Sequence, residues 1–137
     1  MRIFLKILAS VLLLFNGLSA VYGGWSLMMH PDGSGLGMPL ELLEGTLFPD
    51  FFIPGLVLFL VNGAFSLVVL VITLLELKNY TWLIMVQGFL LVGWIVIQIF
   101  IVQGVDPLHI VYFSTGVLMM LTGWLLQLTG IEYSYRM

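Results

Sequence analysis

The chain has 137 residues, of which 61% are hydrophobic and 8% charged, with a formal net charge of −3, a mean hydropathy of +1.18 and no cysteine. A soluble domain carries about 25% charged residues, so this chain cannot cover a water-facing surface, and the lipid bilayer is its expected solvent and first partner. The missing cysteine excludes thiol catalysis, disulfides, Cys-ligated zinc or iron–sulfur centres and quinone-linked disulfide exchange, and the acidic balance argues against nucleic acid.

A span needs about 20 apolar residues, so the length accommodates four spans and one sizeable loop in a single domain over residues 1–137. The first span is expected over residues 3–29, opened by Arg2 and Lys6. A cationic start with an apolar run also describes a signal peptide cut after Ala20. The apolar pattern continues through Val21, Tyr22, Trp25, Leu27 and Met29, and Leu18 suits the cut poorly, which favours a retained span.

The outer loop, residues 30–53, is rich in Gly, Pro and acids. Its HPDGSG stretch is a turn signature. GSGLG follows no strand and lacks both the P-loop Lys-Ser/Thr and the G-x-G-x-x-G spacing, and the stretch lacks the ligand series of an EF-hand. MPLELLEG is predicted to form a short interfacial helix, with Pro39 at its first position and Gly45 at its stop. Leu36, Leu40, Leu43 and Leu47 would then share one face, with Glu41 and Glu44 opposite.

The second span is expected over 54–77, with Pro49 or Pro54 in its first turn, and a tight connection follows at Lys78, Asn79 and Tyr80. Asn79 or Thr81 would cap the third span, over 81–103, which Gly104 ends. Asp106 then supplies an N-cap acceptor and Pro107 a first helical residue. The fourth span runs over 107–129, closed by Gly130, with a short polar tail after it. Short connections make sequential antiparallel neighbours, so the expected fold is an all-α, up-down-up-down four-helix transmembrane bundle.

Arg2, Lys6, Lys78 and Arg136 fall on one side of this layout, whereas Asp32, Glu41, Glu44, Asp50 and Asp106 fall on the other with His30 and His109. The positive-inside rule then puts both termini in the cytoplasm and the loop outside. Tyr22, Trp25, Phe51 and Phe52 would mark the outer interface, and Tyr80, Trp82, Trp124, Tyr133 and Tyr135 the inner one, with Trp94 near mid-span. The layout is analogous to that of small four-span proteins of the bacterial inner (plasma) membrane.

Each span carries a stripe of small or polar residues at offsets of three, four and seven, expected to face inward. Depth pairs Asn16 with Asn62, Gln87 with Gln127, and Gln98 with Tyr112 and His109. Interhelical adhesion accounts for these groups at about 0.6 kcal/mol each; a solute path along them is the alternative. No Asp, Glu, Lys or Arg lies deep in any span, and Glu76 is near the cytoplasmic end. Ion-driven transport uses such intramembrane charges, which argues against it here.

His30, Asp32, Glu41, Glu44, Asp50, Asp106 and His109 form the only candidate metal set, and hard oxygen ligands with imidazole would suit a divalent cation. Their spacing matches no metal motif, and Asp106 is explained by capping. Neither a nucleophile–base set nor an enclosed carboxylate pair is evident. The expected function is therefore non-enzymatic and cofactor-free: an accessory, scaffold or assembly component contacting another membrane protein or a second copy of itself. A small-solute or lipid binding or transport protein using the inward amides is the alternative, and a divalent-metal-binding outer cap is the second.

Overall fold

The computed structural model describes residues 1–102 and 104–136, with side chains described up to Ile101 and from Gly104 to Gly130. The expectations for Gln103 and for the side chains of Glu132, Tyr133, Tyr135 and Arg136 lie outside the described residues. Four long helices dominate: α1 (Arg2–Met29), α2 (Phe52–Leu74), α3 (Tyr80–Val102) and α4 (Pro107–Arg136), with no strand among the described residues. Each holds a stretch long and apolar enough to cross a membrane.

The helix ends follow local chemistry. The carboxylate of Asp50 accepts the Phe52 N–H (3.0 Å), so α2 begins two residues before the expected Pro54. Proline fits there because the first-turn N–H groups have no helical partner. At the far end of α2, Leu77 N–H donates to Ile72 C=O and Glu76 N–H to Thr73 C=O, each at 3.0 Å. This pair of hydrogen bonds closes the helix around a left-handed residue, usually glycine; here Glu76 occupies that position, at φ 51°. Asn79 (φ 66°) then turns the chain, and its carbonyl takes the first bond of α3, from Leu83 N–H. Gly130 does not close α4, which continues to Arg136. A glycine ends a helix when the chain turns left-handed there, and no such turn occurs at Gly130.

Helices α1 and α2 run antiparallel, with Gly24 against Gly55 near the loop end, and the Lys6–Glu76 ion pair (3.2 Å) near the chain-terminus end. Helices α3 and α4 do likewise through Gly88 against Gly116 and Gly123 against Met85. Helix α4 also packs on α1, where the Phe15 and Tyr112 rings stack at 5.3 Å and 13°. Leu5, Ala9, Leu13, Val69, Ile84, Met119 and Leu126 fill the terminus-side half of the bundle.

Arg2 ties three helices together at that end. Its guanidinium donates to the Tyr80 hydroxyl (3.1 Å), the Leu126 carbonyl (3.4 Å) and the Thr129 hydroxyl (3.4 Å). A lysine keeps the charge but not the planar fork. Arg2→Ala is expected to cost about 1.5 kcal/mol, the low end for charge-assisted bonds given two long distances, with Arg2→Lys recovering only part of it. Denaturant titration in detergent micelles measures both.

Candidate functional site: the mid-bundle amides and the loop over them

Four buried polar side chains, Asn16, Asn62, Ser66 and Gln87, converge at the middle of the bundle. Asn16 Nδ2 donates to the Asn62 backbone carbonyl (3.2 Å) and to Ser66 Oγ (2.9 Å). Gln87 Nε2 donates to Asn62 Oδ1 (3.2 Å). Asn62, fully buried, thus joins α1 through its main chain and α3 through its side chain. Asn16 meets Asn62 through the Asn62 backbone carbonyl, and Ser66, which the depth pairing leaves out, is the third member. Ser66 is four residues from Asn62, on the same helix face, which was the signal for it.

The backbone explains that accessible carbonyl. From Leu58 to Ala64 helix α2 is π-helical. A π turn bonds i to i+5 and widens the helix, and such turns concentrate at functional positions. Nothing in the residue pattern of LFLVNGA marks it.

Gln127 departs from expectation. It is exposed on α4 and makes no pair with Gln87, whose partner is Asn62. The buried stripe of α4 runs through Thr115, Met119, Thr122 and Leu126. At about 100° per residue Gln127 lies roughly 80° round from Met119, on the rim.

Above the amides, toward the loop end, a cavity of about 90 Å³ opens on one side. Asn16, Ser19, Trp94, Gln98 and Tyr112 are the polar residues of its lining, and Leu58, Leu91 and Ile95 form much of its apolar wall. Gln98 and Tyr112 therefore share one space. His109 lies apart from it, accepting the Asp106 N–H at Nδ1 (3.0 Å) at the start of α4. Trp94 is 9% exposed, and its indole N–H has no hydrogen-bond partner. The Asn62 Nδ2 and Gln87 Oε1 atoms are also buried without partners.

The loop folds over the helix ends. Phe51 N–H donates to Pro31 C=O (2.8 Å), joining the start of the loop to its finish. Met38 N–H donates to the carbonyl of Gly33 (2.8 Å), a residue held at φ 82°. Phe51 is not part of an interfacial belt with Phe52: it is buried, and with Leu27 and Leu43 it makes a small core beneath the loop. MPLELLEG forms one 3₁₀ turn, Leu40–Leu43, and Pro39 precedes it instead of opening it. A shared four-leucine face does not form: Leu43 is buried, Leu36 and Leu40 are partly exposed, and Leu47 is 97% exposed. Gly45, at φ 79°, redirects the chain before Leu47.

The outer carboxylates do not converge. Asp32, Asp50 and Asp106 each accept a backbone N–H two residues on, from Ser34, Phe52 and Leu108. His30, Glu41 and Glu44 are exposed, and no three His, Asp or Glu side chains among the described residues are grouped to hold a metal ion. Asp106 and His109 instead make a reciprocal cap, the carboxylate accepting the Leu108 N–H (2.9 Å) while the imidazole takes the Asp106 N–H. Asp106→Ala is expected to cost about 1 kcal/mol and Asp106→Asn much less, since the amide oxygen still caps; thermal unfolding in micelles compares them.

The bonds from the Ser34 backbone and then its side chain hold the Asp32 carboxyl below its ordinary value of 3.8, with a smaller contribution from His30. Its lowered value means that its contribution to loop stability is complete above pH 3.8 and lost as the pH falls through the lower, folded-state value. Carboxylate NMR titration is expected to show the lowered midpoint, and Ser34→Pro, which removes the donor N–H, to raise it toward 3.8.

No protein-family model, curated protein or solved structure matches this chain.

Proposed function

We propose that this chain is a non-enzymatic integral component of the bacterial inner (plasma) membrane. It is an up-down-up-down bundle that acts as an accessory, scaffold or assembly partner of another membrane protein or of its own copies. One observation carries the reading: the amides at the middle of the bundle and the outer aspartates are spent on the fold. Asn16, Asn62 and Gln87 bond one another across three helices, and the three outer aspartates close turns. The outer surface of the helices and the loop over their ends are then the faces offered to a partner.

The orientation is part of the proposal. Arg2, Lys6 and the 75–79 turn carrying Lys78 gather at one end of the bundle, and cationic ends stay cytoplasmic. The loop then faces out. A fluorescent protein fused at the C-terminus is expected to glow, and alkaline phosphatase inserted at Gly37, an exposed loop position, to be active. The reverse pair of results overturns the orientation.

Purification in mild detergent tests the role itself. A partner in fixed stoichiometry, or a defined homo-oligomer by light scattering, supports it. A monodisperse monomer that by itself gives saturable solute flux in liposomes would replace it with the transport alternative.

A further inference from the structure

We propose that the cavity between the four helices is a binding site for a neutral, carbonyl-bearing molecule dissolved in the membrane, its carbonyl oxygen accepting the indole N–H of Trp94. The inference does not depend on the accessory role.

The first argument is the unpaired donor. An indole N–H buried without a partner is costly, and each such group in a folded protein calls for an explanation. Trp94 Nε1 has no protein acceptor and Trp94 lines the cavity.

The second argument is the chemistry of the lining. Gln98, Tyr112, Asn16 and Ser19 line the cavity with Trp94, and no Asp, Glu, Lys, Arg or His does. Such a set offers donors to a neutral acceptor and nothing to an ion. Within a bilayer the strong neutral acceptors are carbonyl oxygens, those of acyl esters and of quinones.

Shape gives the third. About 90 Å³ is several times the roughly 10–15 Å³ of cavity that lodges one water. It admits a carbonyl with its adjacent carbons, and the open side lets the rest of a longer molecule stay in the lipid. The space ends at Asn16, whose amide is bound to α2, and the half beyond is filled by Leu13, Ile84 and Met119. The cavity is therefore a dead-ended pocket, which fits binding and not passage.

The experiment reads the indole N–H directly. Full-length protein labelled with ¹⁵N at its four tryptophans is placed in nanodiscs of ether-linked phosphatidylcholine, which has no acyl carbonyl. Trp94→Phe identifies the Trp94 resonance. A short-chain benzoquinone is titrated in, and a parallel sample uses ester-linked phosphatidylcholine. The expected result is a downfield displacement of the Trp94 indole proton, saturating with quinone or present in the ester-linked discs; the responding arm names the source of the carbonyl. Ala20→Leu, which fills the cavity from α1, is expected to abolish the displacement, and Leu91→Phe does the same from α3 should the first variant not fold. An unchanged resonance in every arm, a cross-peak to water in every arm, or a displacement that survives both blocking variants overturns the proposal.

Discussion

Asn62→Leu is expected to destabilise the bundle by about 1–3 kcal/mol, the penalty for leaving a buried polar group unmatched. The substitution removes the Oδ1 acceptor of Gln87 but not the backbone carbonyl that Asn16 uses. Contact between α1 and α2 should therefore persist while α3 loses its polar tie to α2. Gln87, fully buried and already lacking a partner at Oε1, would be left with none at Nε2 either. Gln87→Leu should cost a similar amount, because it strands the whole Asn62 amide. The double variant should cost less than either single one, since an apolar pair of similar shape leaves nothing unsatisfied. Because the double variant costs less than either single one, the coupling between the two sites is expected to exceed the larger single loss, and so to be more than about 1 kcal/mol. Reversible unfolding in mixed micelles, read by circular dichroism across the four proteins of the cycle, measures it. Additive single effects would show that the Asn62–Gln87 bond contributes nothing.

The second large effect is expected at the glycine contacts. A Cβ on Gly24 would stand 2.7 Å from the Gly55 carbonyl oxygen and 2.7 Å from the Phe59 nitrogen. A Cβ on Gly88 would stand 2.6 Å from the Gly116 carbonyl oxygen. These obstacles are backbone atoms, so the helices themselves must separate. Overpacking of this kind costs about 1–3 kcal/mol, and Gly24→Ala and Gly88→Ala should fall at the upper end. Gly17→Ala should cost less, because its Cβ meets the flexible end of Leu67 at 2.6 Å. Gly93→Ala meets nothing within 4 Å, and by helix propensity should stabilise by up to about 1 kcal/mol. The order Gly24 and Gly88, then Gly17, then Gly93, is the content of the prediction. Equal losses at all four would mean that glycine acts here through the backbone alone and not through close helix approach.

Four long apolar helices, a capped start for α4 at Asp106 and a short connection at Lys78 and Asn79 were readable because they depend on local features: hydropathy over a window, and a side chain within reach of its own backbone. The inward direction of Asn16, Asn62 and Gln87 was readable too, since 3.6-residue periodicity carries it. Their partners were not. Depth alone set Gln87 opposite Gln127, but α4 is rotated so that Thr122 and Leu126 face inward and Gln127 does not. That rotation is decided by Gly116 and Gly123 meeting α3, a contact between residues far apart in the chain.

The loop shows the same division. Its turns follow from Asp32, Gly33, Gly45 and Asp50, each acting on neighbouring peptide groups. Its cover over the bundle depends on Phe51 and Leu43 reaching Leu27, which no periodicity predicts in a 3₁₀ and turn-built segment. The sequence by itself determined how many helices are long and apolar enough to cross a membrane and the absence of charge from their interior, because those are sums over residues. Only the tertiary structure decided that Asn62 ties three helices, that α2 opens into a π turn, and that Trp94 stands unpaired on a pocket, because each depends on how one helix is turned against another.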